Sequence, residues 1–545
     1  MSHLPQNDAS RIGTDLQPPV KDRSLAGAAG SISAATMISR ILAVGREMVM
    51  SRYFGAGYYT DAFNVAFRIP NLLRDLFAEG ALSSAFVPTF VRTINEKGRE
   101  AGWLLANRVI NALAIILSAI TLLIYFCAPA FVYLLAAGSR AIPGKFELTV
   151  QMTRIMSPFL LCVALAAAAM GMLNARGRFF IPALAPSAFN VCSILAGVFL
   201  SPFMPRFGLA PVVSMAIGAL VGGASQFFVQ LPAACREGFR YRPLVDFKDP
   251  GVRHIGKLML PAIVGLSATQ VNIAVDTQLA IHYGDGPVSW LNYAFRLMQL
   301  PIGLFGVAIA TTTLASVSFH AARNNIVELR ETVAGSLRLA ACLTFPATVG
   351  LILFRREIIE LIYQGRAFVA TDTAKTSDVL LLYALALFAY SGVKILVPTF
   401  YALNDTGTPV RLSITTVFIK IAVNFLLIIP LGFLGLALAT TIASWLNFSL
   451  LARSFGKRTG ARYAENLAAY LRIALASLTM GLVAFLVLNA ARWLVPVPGK
   501  LGLCLHLGSA IFAGMAILLP LLRWFRVEEE KELSRIVSRL VKRIL

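Results

Sequence analysis

Ionisable residues are scarce in this chain. Only 14% of its 545 residues are charged, against 57% hydrophobic, where a soluble globular domain carries about a quarter charged. That shortage disfavours several soluble domains laid end to end and a disordered chain. Acidic residues are scarcer still, 27 against 49 Lys and Arg, for a net charge of +22. A basic excess can mark a nucleic-acid binder, but here it accompanies a mean hydropathy of +0.72 and fits the cationic connections of a multi-span protein better; no nucleic-acid partner is expected. There are six cysteines (Cys127, Cys162, Cys192, Cys235, Cys342 and Cys504), with no CxxC, in or beside apolar runs. They read as small buried hydrophobes, not a disulfide framework. The five histidines are scattered and offer no metal-ligand spacing. HExxH, GxSxG and Walker patterns are missing, as are DxxD and His-rich clusters, so neither an enzyme nor a metal centre is expected.

What the chain has in abundance is apolar sequence. Windows of about 20 apolar residues fall near 24–54, 59–91, 104–137, 148–173, 181–203, 209–234, 255–282, 288–318, 329–353, 377–402, 409–431, 434–452, 467–491 and 503–524. The expectation is an all-α polytopic membrane protein with fourteen transmembrane helices, because lipid leaves an open backbone unsatisfied and the runs lack the alternation of a barrel strand. Residues 1–23 are polar and read as a tail. The following Ala-Gly-rich run continues through Arg40 and Arg46 to Phe54, too long and too charged for a cleaved signal. With the N-terminus inside, eighteen Lys and Arg fall in cytoplasmic connections and nine on the opposite side, which places both termini in the cytoplasm. The segment 527–545 spaces Ile536, Val537, Leu540, Val541, Ile544 and Leu545 among basic residues and reads as an amphipathic helix on the cytoplasmic membrane surface.

Residues 66–77, AFRIPNLLRDLF, match 294–305, AFRLMQLPIGLF, at six of twelve positions with an offset of 228. That offset spans six helices. It predicts two pseudo-symmetric six-helix lobes, 24–234 and 255–452, related by an axis along the membrane normal. Two further helices cover 467–524. Transporters are commonly built so, with the site between the halves.

Ions inside membrane helices are costly, at least ~2.5 kcal/mol each at mid-bilayer, and mark cavities or internal pairs. Here they crowd into helices 1, 2 and 8: Arg40, Arg46, Glu47, Asp61, Arg68, Arg74, Asp75, Glu79 and Arg296. Arg40 and Glu47 share a helical face, as do Asp61, Arg68 and Asp75. Each arginine is either half of an ion pair or a ligand contact. Arg74 has no acid at i−4 or i+4. Gly45, between Arg40 and Arg46, offers a bend that would turn both to one cavity. Guanidinium groups pair bidentately with phosphate and stay charged, so a cavity holding several would attract a diphosphate and repel cationic drugs. Asp276, near Gln270, Asn272 and Thr277, is a candidate for coupling to a proton or monovalent cation, or for pairing with Lys394 or Arg296. Lys394 is a further cavity candidate. No other cofactor is expected.

Four segments carry a resemblance. SRILAVGREMVMSRYFGAGYYTDAFNVAFRIPNLLRDLFAEGALSSAFVPTF (39–90), NARGRFFIPALAPSAFN (174–190), SWLNYAFRLMQLPIGLFGVAIATTTLASVSF (289–319) and VKILVPTFYALNDTGTPV (393–410) resemble the MurJ/MviN family of lipid II flippases, within the multidrug/oligosaccharidyl-lipid/polysaccharide exporter superfamily. The resemblance implies fourteen helices, the last two (467–524) forming a groove for a lipid tail. It also implies alternating access that carries an undecaprenyl-diphosphate-linked peptidoglycan precursor, lipid II, across the bacterial inner membrane. Membrane lipids and the cell-wall synthesis machinery would be further partners. By motif, the family's substrate-binding arginines fall on Arg40, Arg46, Arg74 and Arg296, and its acidic positions on Asp61 and Glu79. Relatives often carry an acid where this chain has Phe295 and Glu where it has Gln299, which would leave Arg296 freer for substrate. A flippase for another polyprenyl-diphosphate glycan, of O-antigen type, is the alternative, and a multidrug antiporter the more distant one.

Overall fold

The computed structural model describes residues 22–75, 82–461, 466–535 and 538. Among these it is helical throughout, with no strand. Ten helices are long and apolar enough to cross a membrane, or eleven when Ala370–Ala384 and Leu387–Ala402, which meet at 44°, count as one span. The other three expected spans coincide with helices that carry the intramembrane ions: α1 (Asp22–Phe54), α2 (Tyr58–Arg74) and α9 (Pro250–Ile281). Large apolar side chains lie on the outside. On α18 (Leu467–Leu494), Leu471, Leu475, Leu478, Leu482 and Leu486 are each more than half exposed, a stripe that water would disfavour and lipid accepts.

The first six spans use α1 and α2, then α3 (Ser83–Phe126), α4 (Ala128–Ala136), α5 (Lys145–Met156), α6 (Phe159–Ala175), α7 (Phe180–Leu195) and α8 (Val213–Arg236). The second six use α9, α10 (Pro287–Pro301), α11 (Val307–Ala322), α12 (Ile326–Leu353), α13 (Arg355–Ile362), α14 (Ala370–Ala384), α15 (Leu387–Ala402), α16 (Gly407–Leu431) and α17 (Phe433–Thr459). Helices α18 and α19 (Gly499–Trp524) pack on each other, α18 also on α12 and α19 on α13. The two sets pack alike: α3 lies on α6 and α7 on α8 in the first, as α12 lies on α15 and α16 on α17 in the second.

Several expected spans are broken, each for a local reason. At Gly98, φ is 84°, a left-handed conformation that glycine adopts without strain; it divides α3 into the end of the second span and the start of the third. The fourth span breaks at Ser157-Pro158, where proline supplies no N–H. The tenth breaks at Leu385-Ala386, 228 residues on from Ser157-Pro158 and without a proline, so the break belongs to the repeat. The eighth span passes from α10 to α11 through a π-helical turn, Ile302–Gly306. Helix α13 is an extra amphipathic element that the sequence reading assigned to a connection. Helix α1 runs unbroken through Gly45, where a Cβ would meet Ile194, and Arg46 does not join Arg40 in lining one cavity as expected. Of the tail expected over 1–23, residues 22 and 23 open helix α1 and the rest lie outside the described residues, as do Glu79 and the apolar positions expected at the C-terminal surface helix. Val527, Glu529 and Leu533, in the described first part of that segment, are buried against the protein.

Candidate functional site

The site begins on α1. Because Arg40 and Glu47 stand seven residues apart on one face, both reach the interface with the second lobe. There they line a cavity of about 420 Å³ with Phe295, Arg296, Gln299, Tyr363, Tyr390 and Lys394. Three cations drawn from both lobes thus face one carboxylate. The Arg40 guanidinium lies against Gly303 of the π-helical turn, where a Cβ would occupy its place.

Glu47 does not pair with Arg40. One of its oxygens accepts from Arg46 Nη2 at 2.5 Å and lies 2.9 Å from Arg296 Nε. Arg296 is therefore not left without an acid by Phe295 and Gln299: the first lobe supplies one. The contact uses Nε and leaves the Nη end for another acceptor, and the side chain stays 42% exposed. Arg46 is turned the other way, with its guanidinium over the Phe189 ring at 5.2 Å, and stands behind Glu47.

Arg74 pairs with its neighbour Asp75, from Nε at 3.1 Å and Nη2 at 2.7 Å; an i+1 acid serves where none stands at i±4. Asp75 also accepts from Gln270 of α9 at 3.3 Å, bridging the lobes. Arg68 donates to Asn292 Oδ1 at 3.4 Å. The stripe Asp61, Arg68 and Asp75 is thus not a set of mutual pairs: Asp61 and Arg68 find partners on other helices, and Asp75 shares itself between Arg74 beside it and Gln270 of α9.

Asp61 lies at the meeting of the repeat-related helices. It is buried and accepts from Lys145 Nζ at 3.2 Å, the Gly286 N–H at 2.7 Å, the Ser289 N–H at 2.9 Å and the Ser289 hydroxyl at 2.5 Å. Asp61 and Ser289 are separated by 228 residues, the repeat offset, so equivalent positions of the two lobes touch. Lys145 is fully buried and donates also to Asp285 at 2.5 Å. Nearby, Tyr293 donates to the Gly55 carbonyl at 3.2 Å and the Ala367 N–H to the Arg52 carbonyl at 3.2 Å. This latch closes one end of the lobe interface.

Asp276 is paired, but with neither Lys394 nor Arg296. Lys420 of α16 donates to it at 2.5 Å and Asn424 at 2.7 Å. Lys394 lies instead in the cavity of Arg40 and Arg296. Among the described residues no group of three His, Cys, Asp or Glu could hold a metal ion. Sequence reasoning missed Lys145, counted as a connection charge, and Lys420. The signal for Lys420 was a lone lysine within the apolar run TTVFIKIAVNF (415–425).

Comparison with known proteins bears on this geometry. A family model described as lipid II flippase MurJ matches residues 50–497. The chain is 35% identical to a probable lipid II flippase MurJ of Vibrio cholerae, covering 77% of this chain and 81% of that protein. It is also 35% identical to the lipid II flippase MurJ of Burkholderia cenocepacia, covering 78% and 83%. Its fold is similar to a solved lipid II flippase MurJ in an inward closed conformation, with a TM-score of 0.74 and 28% identity over 90% of this chain and 98% of that one. A multidrug resistance MATE transporter in an inward-facing conformation shares the fold alone, with a TM-score of 0.65 and 14% identity. The chain, a multi-pass membrane protein, belongs to the MurJ family of lipid II flippases.

Proposed function

We propose that this lipid II flippase holds the diphosphate of its substrate between Arg40, Arg296 and Lys394. The observation that carries this reading is the convergence of cations from both lobes on one cavity in which Glu47 is the sole acid among the lining residues. Arginine forks suit the paired oxygens of a diphosphate. Lys394, a compact charge, would complete the grip from the second lobe. Arg46 and Arg74, each held by an adjacent carboxylate, would set the field and receive the anion as the lobes rock.

The excess of basic connections supports termini in the cytoplasm and residence in the inner membrane. On that orientation the Asp61 latch lies at the periplasmic end, and the clamp would face the cytoplasm while the latch is closed. The sugar-peptide head would occupy the cavity and the polyprenyl tail the groove of α18 and α19. Lys420 occupies Asp276 and so argues against a coupling cation there. The membrane potential acting on the cavity cations, at ~2.3 kcal/mol per charge per 100 mV, is the energy source we favour.

Native mass spectrometry of the purified protein against lipid II and an O-antigen lipid carrier tests the clamp. Arg40→Ala, Arg296→Ala and Lys394→Ala should each lower lipid II retention about 10- to 100-fold, the worth of one charge-assisted hydrogen bond. Retention at the unaltered level in all three, with full growth of a flippase-depleted strain carrying Arg40→Ala, Arg46→Ala, Arg74→Ala or Arg296→Ala, would overturn it.

A further inference from the structure

The two lobes are joined by residues 237–249, between α8 and α9. This linker is not a loose loop. Two asparagines one turn apart on α3, both buried, bind its backbone. Asn107 donates to the Arg240 carbonyl at 2.9 Å and accepts from the Arg242 N–H at 2.7 Å. Asn111 donates to the Arg242 carbonyl at 2.8 Å and the Leu244 carbonyl at 3.0 Å, and accepts from the Tyr241 hydroxyl at 2.9 Å. Arg108 of the same helix pairs with Asp249 at 2.5 Å.

Phe239 is buried and the Tyr241 hydroxyl reaches back to Asn111, but most of the remaining side-chain surface of the strap is exposed. Tyr241 is 62% exposed, Val245 52% and Phe247 46%, interleaved with exposed Arg240, Arg242 and Lys248; Arg253 and Lys257 on the first turns of α9 are exposed as well. Three acids lie nearby. Glu237 holds Arg176 and Arg178, Asp249 holds Arg108, and Asp246 accepts the Lys248 backbone N–H at 3.0 Å and stands 3.9 Å from Arg108, so five cations face one partly exposed carboxylate on the strap. Among the described residues these five cations make no ion pair with protein. The strap lies beside residues 103–111 of α3, where the helix passes from the charged stretch NEKGRE (95–100) into the apolar INALAIIL (110–117). That register is the depth of a membrane–water boundary, where aromatic and apolar side chains flanked by Arg and Lys favour headgroups.

We propose that this interlobe strap is a binding surface for anionic phospholipid headgroups, the apolar side chains entering the interface and Arg240, Arg242 and Lys248 meeting lipid phosphates. Each such cation is worth about a 5-fold preference for an anionic surface. The strap would then tie the lobe junction to the leaflet while α9 moves.

The test uses the full chain without lipid II, so its outcome is independent of the diphosphate clamp. Nanodiscs of phosphatidylcholine alone are compared with nanodiscs that also contain phosphatidylglycerol. Amide exchange over 238–249 should slow in the second, and native mass spectrometry should show preferential retention of phosphatidylglycerol. Arg240→Gln/Arg242→Gln/Lys248→Gln should lose both effects while melting like the wild type in phosphatidylcholine. Arg206→Gln/Arg356→Gln, on the opposite side, should keep them. Equal retention of both lipids by the wild type, an unchanged triple variant, or protection that appears only with an added acidic protein would overturn the proposal.

Discussion

Glu47 decides what the neighbouring cations can do. It spends its charge on Arg46 and Arg296, so Arg40, seven residues back, meets the cavity without a carboxylate of its own helix. What positions Arg40 is the absence of a side chain at Gly303. Gly303→Ala is therefore expected to displace the guanidinium. Its tip is flexible and yields cheaply, so Tm should change little, whereas retention of lipid II in native mass spectrometry should fall toward that of Arg40→Ala. A variant that binds normally would show that Arg40 has no fixed place. The local sequence of Arg296, with Phe295 and Gln299, offers no acid, yet a helix from the other lobe supplies one.

At the scale of elements, the start of α10 has no capping side chain of its own. Its N–H groups are served by Asp61 of α2, a carboxylate placed where a helix dipole favours negative charge. Lys145 completes the pair from α5. Removing one member of a buried pair leaves an uncompensated charge, at ~3–5 kcal/mol. Lys145→Met should therefore lower Tm in detergent more than Asp61→Leu/Lys145→Leu does; equal losses would mean that the pair is not coupled. The helix ends facing away from this latch carry exposed pairs. The hydrogen bond from Arg178 holds the Glu237 carboxyl below its usual range. The Thr408 backbone N–H and hydroxyl do the same for Asp405, with Arg458 adding to the effect. A carboxyl lowered in the folded state stabilises at pH above its ordinary value and loses that contribution as pH falls through the lowered one. Tm should stay level from about pH 7 to 5 and drop below about pH 4, with Glu237→Gln/Asp405→Asn flattening the drop. Each pair is worth under ~1 kcal/mol, so a large change near neutral pH would contradict this assignment.

For the whole molecule, the repeat has a physical consequence. Equivalent positions of the lobes, Asp61 and Ser289, touch at the latch, and equivalent arginines, Arg68 and Arg296, stand below it on α2 and α10. Rocking one lobe against the other must break the latch while leaving each lobe's own packing intact. The lobes are also tied by Gln270 to Asp75 and by the strap that Asn107 and Asn111 hold. Asn111→Ala removes three of the strap's bonds. It should speed amide exchange over 240–246 without altering exchange at the latch, and uniform loosening would show that the two ends of the lobe interface are not separable.

The helical class and the apolar spans were set by composition and run length, since lipid permits little else for such sequences. The repeat was legible because the AFR core recurs at a fixed offset. The concentration of ions in the first, second and eighth spans was visible for the same reason that it is costly: charge in an apolar run stands out. Which ion meets which was decided only by tertiary structure. Partners such as Glu47 and Arg296, Lys145 and Asp61, or Lys420 and Asp276 are separated by 84 to 249 residues, and spacing along one helix carries no information about a neighbour brought in by packing. The same limit hid the turn at Leu385-Ala386 and the docking of the strap, both held by contacts that no local pattern encodes.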